Sequence, residues 1–95
     1  MRVIDIIWLP HIIDKLAWKH GVTPEEVDQV LFSNPLFRKA QKGHIPGEDV
    51  YAAFGQTDGG RYLVVFIVYK QTQEALVLSS RDMDKKERRY YGRRK

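Results

Sequence analysis

The chain has 95 residues, a formal net charge of +4 and no cysteine. That length supports one domain with one modest core, and without cysteine neither a disulfide nor a thiolate metal site can form. The composition fits a reducing compartment, the cytoplasm. No apolar run approaches the roughly 20 residues a membrane helix needs, and the apolar N-terminus carries Asp5 and lacks a small-residue cleavage site, so it does not read as a signal peptide.

The placement of charge says more than its sum. Residues 81–95 hold eight Lys/Arg against three Asp/Glu, while the rest of the chain holds eight against nine. The whole positive excess therefore sits on the last segment, the electrostatic footprint of a polyanion site or of a solvated basic helix.

In chain order, Arg2 to Trp8 is rich in Val and Ile and reads as a strand. Pro10 opens a helix running to His20, because the first helical position needs no N–H donor. Ile12, Ile13, Leu16, Ala17 and His20 share its apolar face, and Gly21 ends it. Trp18 falls on the polar face, either packed against a loop or exposed to a partner. Thr23-Pro24-Glu25-Glu26 opens a second helix with Thr23 as N-cap and Glu26 completing a capping box. Val27, Val30 and Leu31 form its buried stripe, and Asn34-Pro35 ends it. Leu36 to Gln41 is a short strand. Lys42 to Glu48 is an irregular loop carrying His44 and Glu48, a place where an acid and a base can meet.

A meander follows. Val50 to Gln56 is a strand, and Thr57-Asp58-Gly59-Gly60 is a tight turn. Arg61 to Lys70 is the central strand, apolar on both faces and so in need of cover on both sides. Glu74 to Ser80 is the next strand, changing over at Ser79, Ser80 and Arg81 into a basic helix from Lys85 to Tyr91. Asp84 and Glu87 repeat the capping-box spacing. Gly92 is expected to end this helix, leaving Arg93-Arg94-Lys95 as a frayed tail. The order is strand, two helices, three or four mostly antiparallel strands, and a helix. This is an α+β fold with helices packed on one curved sheet.

Several chemistries lack their signatures. No phosphate loop and no His-Glu-x-x-His motif occurs, and His11, His20 and His44 do not show metal-ligand spacing. No metal and no cofactor is expected. What remains is Arg61, Arg81, Lys85, Arg88 and Arg89 with His44, Glu48, Glu87, Tyr90 and Tyr91. That set suits RNA cleavage by the 2′-hydroxyl, which needs a base, a cation for the phosphorane and an acid for the 5′-oxygen. Arginine binds phosphate in a bidentate way and stays charged. The strand is expected to hold Arg81 at its end, while the helix carries Lys85, Arg88 and Arg89 across an exposed surface.

These pieces, together with Trp8, Pro10, Lys19-His20-Gly21-Val22, His44-x-x-Gly47-Glu48, Gly55, Gly60-Arg61, Ser80-Arg81 and Glu87-Arg88-Arg89-x-Tyr91, resemble the BrnT family of toxins from bacterial type II toxin–antitoxin systems. The resemblance covers nearly the full length. It departs from the family's usual pattern at Leu9 and Ile12, where Asp and Lys are usual. It implies a RelE-like fold, a ribonuclease acting on mRNA, free or ribosome-bound, and a BrnA-like DNA-binding antitoxin as partner, in a homo-oligomer or a hetero-oligomer with that antitoxin. On this reading Arg81 stabilises the phosphorane and Arg61 assists or binds phosphate. His44 or Glu48 is the base, Tyr91 or Glu87 supports as donor or orienter, and Lys85, Arg88 and Arg89 hold the RNA backbone. The alternative is a non-catalytic module that uses the same basic face to hold RNA or an acidic partner.

Overall fold

In the computed structural model, which describes residues 1–94, strand β1 (Asp5–Ile7) precedes helices α1 (Pro10–His20) and α2 (Pro24–Leu31). Strands β2 (Leu36–Gln41), β3 (Val50–Gln56), β4 (Tyr62–Tyr69) and β5 (Glu74–Asp82) then lead into helix α3 (Lys85–Arg94). Lys95, the end of the expected tail, lies outside the described residues.

The strands make one five-stranded sheet in the order β1-β5-β4-β3-β2. β1 pairs in parallel with β5, and every other pair is antiparallel. The sheet thus has one strand more than expected. The N-terminal strand joins its edge, and α1 and α2 lie within the long crossover a parallel connection requires. Of the expected Arg2–Trp8, Asp5–Ile7 forms the strand; the Ile4 N–H still donates to the Gln73 carbonyl at 3.0 Å, but Gln73 turns left-handed at a φ of 70° and the ladder begins at Glu74.

β4 lies in the middle and is covered on both faces, as its unbroken apolar run demands. On one face Leu63, Val65 and Ile67 meet Leu16 of α1 and Val27, Val30 and Leu31 of α2. On the other, Val64 joins Ala52, Phe54 and Met83, with Tyr62, Phe66, Tyr90 and Tyr91 packed against them. The helices therefore sit on both sides of the sheet: α1 and α2 on one, α3 on the other.

The helix ends follow the local chemistry. Gly21 takes a left-handed φ of 61°, and its N–H reaches back to the end of α1. Thr23 and Glu26 exchange hydrogen bonds of 3.2 and 3.1 Å in the capping box of α2. Asp84 and Glu87 do the same at α3, at 2.9 and 2.8 Å. The end of α3 differs from expectation: the helix runs through Gly92 to Arg94. A glycine stops a helix when it turns left-handed, and Gly92 is not among the glycines with positive φ. Trp18 is 77% exposed, which decides its two readings in favour of exposure.

β5 also runs further than expected, to Asp82, and it carries an irregularity. Its register against β4 shifts between the Ile67–Val77 and Phe66–Ser79 pairs, leaving Leu78 as the extra residue. A bulge of this kind reverses the in-out alternation beyond it. Ser80 consequently points into the α1/α2 core, 0% exposed, and donates to the Val64 carbonyl at 3.0 Å. Arg81, opposite Val64, points to the α3 face.

Gly55 marks a close approach of α2 to the sheet. A Cβ there would stand 2.9 Å from Val30 Cγ1. Gly55→Ala is expected to cost about 1–3 kcal/mol by overpacking. Combining it with Val30→Ala should cost less than the two single changes summed, in a denaturant double-mutant cycle.

Candidate functional site

Where β5 turns into α3, neighbouring side chains leave opposite faces of the sheet, and each meets a carboxylate or a guanidinium. On the α3 face, Arg81 makes a two-pronged pair with Glu87, Nη1 to Oε1 at 2.7 Å and Nη2 to Oε2 at 3.0 Å. Its Nη1 also donates to the Asp82 carbonyl at 3.1 Å, and its guanidinium carbon lies 5.5 Å from the Phe66 ring centre. The Arg81 side chain is 38% exposed and that of Glu87 14%. Arg81 is the main cause that holds the Glu87 carboxyl below its ordinary value; burial opposes it, and the Asp84 N–H and the charge of Arg38 assist. Glu87 is thus a carboxylate that orients Arg81, and a poor proton donor at neutral pH.

Two further side chains complete this groove: Tyr90, one of the two tyrosines the sequence offered, and Arg38, which sequence reasoning missed. Arg38 of β2 stacks over Tyr90 at 4.5 Å and over Phe54 at 5.2 Å from the ring centres. Tyr90 in turn packs on Phe54 with centroids 5.4 Å apart. The signal was the period of two in β2: Arg38 pairs with Ala52 and therefore shares the face of Phe54 and Val64. Arg38, Asp84, Lys86, Glu87 and Tyr90 line a cavity of about 270 Å³ there.

On the opposite flank of α3, Lys85, Arg88, Arg89, Tyr91 and Gly92 line a larger cleft of about 520 Å³ with Tyr62. The three cations named for the RNA backbone are therefore brought together. Lys85, Arg88 and Arg89 stand at i, i+3 and i+4, the spacing that puts side chains on one helix face. Arg88 lies 4.2 Å over the Tyr62 ring, and Tyr62 meets Tyr91 edge-on at 6.2 Å.

Arg61 is elsewhere. It lies on the α1/α2 face and ties four segments together. Its Nε donates to Asp82 Oδ1 at 2.7 Å, its Nη1 to the Gly21 carbonyl at 2.8 Å and Glu26 Oε1 at 3.2 Å, and its Nη2 to the His20 carbonyl at 2.9 Å. The guanidinium thereby caps the last carbonyls of α1, neutralises the capping-box acid of α2 and holds the strand end before α3. Asp82 is held below its ordinary value chiefly by this bond.

His44 and Glu48 lie at the far end of the sheet. Glu48 pairs with Lys70, and His44 is exposed in the loop. Val50, just past that loop, pairs with Val68 of β4, whereas Arg81 pairs with Val64. Those levels are about 13 Å apart at the usual strand rise. The loop and the Arg81 groove are therefore separate places in one chain. Among the described residues, no three or more His, Cys, Asp or Glu side chains gather as a metal-binding group, and no helix is long and apolar enough to cross a membrane.

The family model described as the ribonuclease toxin BrnT of type II toxin-antitoxin systems matches residues 10–87. The chain belongs to the BrnT family. Its α+β architecture, with an N-terminal strand, two helices, a mixed five-stranded sheet and a C-terminal helix, is compatible with the toxin fold. Membership in the BrnT family carries the role of a ribonuclease toxin in such a system, with RNA as substrate and an antitoxin protein as partner. The BrnT match takes in Arg81, Lys85 and Glu87 and stops before Arg88. No curated protein matches the chain.

Two outcomes follow from the pairings. Arg61→Met removes the guanidinium from Asp82, from Glu26 and from two helix-end carbonyls, and is expected to cost about 1–3 kcal/mol in chemical denaturation. Glu87 is depressed from an ordinary value of 4.5, so its contribution is complete above that value and disappears as pH falls through the depressed one. Glu87→Gln should therefore be less stable than the parent at neutral pH, and the gap should close in thermal melts as pH falls from 4.5 through the depressed value.

Proposed function

We propose that this BrnT-family chain is an endoribonuclease that cuts mRNA in the cytoplasm without a metal, at the groove between α3 and the sheet. The observation that carries the reading is the Arg81–Glu87 pair beside Arg38 and Tyr90, two arginines, a carboxylate and a phenol on one surface. In the reaction the 2′-oxygen bonds to phosphorus and the bond to the 5′-oxygen breaks. The 2′-hydroxyl proton goes to a base, and the 5′-oxygen takes a proton as it leaves. Arg81, with Arg38 nearby, neutralises the phosphorane, the place where positioned donors contribute most. Glu87 accepts the proton. As an incoming phosphate draws Arg81 away, Glu87 loses the partner that depresses it and rises toward its ordinary value, becoming a better base. Tyr90 protonates the leaving oxygen, while Tyr91 stands on the Tyr62 flank of α3 and is not given the proton on this reading. Arg61 acts at a distance, by fixing Asp82 and with it the start of α3.

His44 and Glu48 belong to a second end of the molecule and serve, on this reading, in contacts of the loop rather than as the base. A BrnA-like antitoxin would neutralise the toxin by covering the cationic face. One observation favours the non-catalytic alternative: Glu87 already fills the Arg81 fork, as a bound phosphate would.

Arg81→Ala is expected to lower cleavage by roughly 10²–10³-fold and to abolish growth arrest, with the circular dichroism spectrum kept. In EDTA the parent should leave 2′,3′-cyclic or 3′-phosphate ends. Salt-sensitive retention of RNA with no cut ends would favour the binding module, and full toxicity in the Arg81 variant would remove that residue from the reaction.

A further inference from the structure

The cleft on the outer flank of α3 has features that backbone binding alone does not use. We propose that it is a stacking subsite for one unpaired nucleotide of the RNA, with the base on the Tyr62 ring and its phosphate between Lys85 and Arg89. This rests on the reading of the chain as a protein that acts on RNA, and it names where a nucleotide outside the reacting pair is held.

Four observations converge. The cavity, about 520 Å³, falls within the range of small-molecule sites, about 300–1,000 Å³. Its charged lining residues are Lys85, Arg88 and Arg89, with no acid among them. Its floor is an aromatic face already covered by a planar cation, because the Arg88 guanidinium lies 4.2 Å from the Tyr62 centre. A guanidinium stacks on a ring as a base does, and Arg88 is exposed on a long stem. A base can slide onto Tyr62 and leave Arg88 on its outer side. Finally, Tyr62 is held by strand pairing with Gln56 and by the edge of Tyr91, 74° from its own plane, so the ring is preset.

The ligand class follows from the combination. An acidic peptide would satisfy the cations and leave the ring face without a planar partner, whereas single-stranded nucleic acid supplies flat bases and phosphates together. The subsite and the Arg81 groove lie on the two flanks of α3. A strand reaching from one to the other passes round a helix about 10–12 Å across, so the stacked base lies a few nucleotides from the phosphate at Arg81.

The test uses the full chain carrying Arg81→Ala and a short unstructured RNA at low salt, read by fluorescence anisotropy. On that background Tyr62→Leu is expected to weaken binding roughly tenfold, and Tyr62→Phe to leave it within about twofold. An abasic residue scanned along the RNA should cost about as much as Tyr62→Leu at one position, and nothing further when the protein already carries Tyr62→Leu. Melting curves separate lost binding from lost folding, and the abasic scan on the Arg81→Ala protein alone decides the matter if Tyr62→Leu does not fold. Equal binding of every abasic RNA overturns the subsite, and so does a polyglutamate peptide that competes as well as RNA of equal charge. Cleavage of the same RNA by the unmodified protein is scored apart. Cutting without any base-dependent binding removes the subsite and keeps the nuclease; Tyr62-dependent binding without cutting does the reverse.

Discussion

Glu87 holds the corner between β5 and α3 through two bonds of different kinds. Its carboxylate accepts the Asp84 backbone N–H at 2.9 Å, which begins α3 at a fixed point, and the same carboxylate accepts the two prongs of Arg81 at 2.7 and 3.0 Å. The direction of α3 is thereby tied to the side chain of the preceding strand. Asp82, one residue along, does the equivalent on the other face through Arg61 at 2.7 Å. The corner is pinned from both sides of the sheet. Sheet pairing places Tyr62 and Arg38, the Asp84–Glu87 capping box and the packing of Tyr90 and Tyr91 place α3 beside them, and the two arginine pairs brace the corner.

The electrostatics divide along the same line. Asp82 and Glu87 each meet one arginine, which holds the carboxyl below its ordinary value. Among the described residues, Arg88, Arg89, Arg93 and Arg94 past Glu87 are exposed on α3. Among the described residues, Lys85, Arg88 and Arg89 thus form one ridge with an aromatic floor beside it, while Lys86 lines the groove of the internally neutralised Arg81 pair and Arg94 stacks over Tyr90. On the proposed reading, this arrangement separates attraction of the polyanion from Arg81, the group assigned to the reacting phosphate. Neutralised by Glu87 in the free protein, Arg81 becomes available only to an anion able to compete at close range.

Most elements were legible because they rest on local chemistry. Pro10 and Pro24 open helices, Gly21 closes one, and the Thr23–Glu26 and Asp84–Glu87 spacings are capping boxes that close within a single turn. The doubly apolar β4 predicted cover on both faces, and it has it. The groupings that were not legible are those between segments far apart in sequence. Arg38 stands on a short strand with no local mark of its partner Tyr90, 52 positions later. Arg61 and Arg81 look alike as strand-end arginines, yet they occupy opposite faces. His44 and Glu48 were joined to Arg81 by chemical type, and the strand register sets them apart.

What the sequence determined by itself was therefore the identity and order of the elements, the burial of the central strand and the gathering of positive charge on the last helix. Each of these depends on residues within a few positions of one another. Which face Arg81 presents was decided only in the tertiary structure. Strict alternation from Ala75 and Val77 would have sent it into the α1/α2 core, and the extra residue at Leu78 reverses the alternation. That bulge exists because β5 must match the register of β4 on both sides of it, a condition imposed by a neighbouring strand and carried by no short stretch of β5 alone.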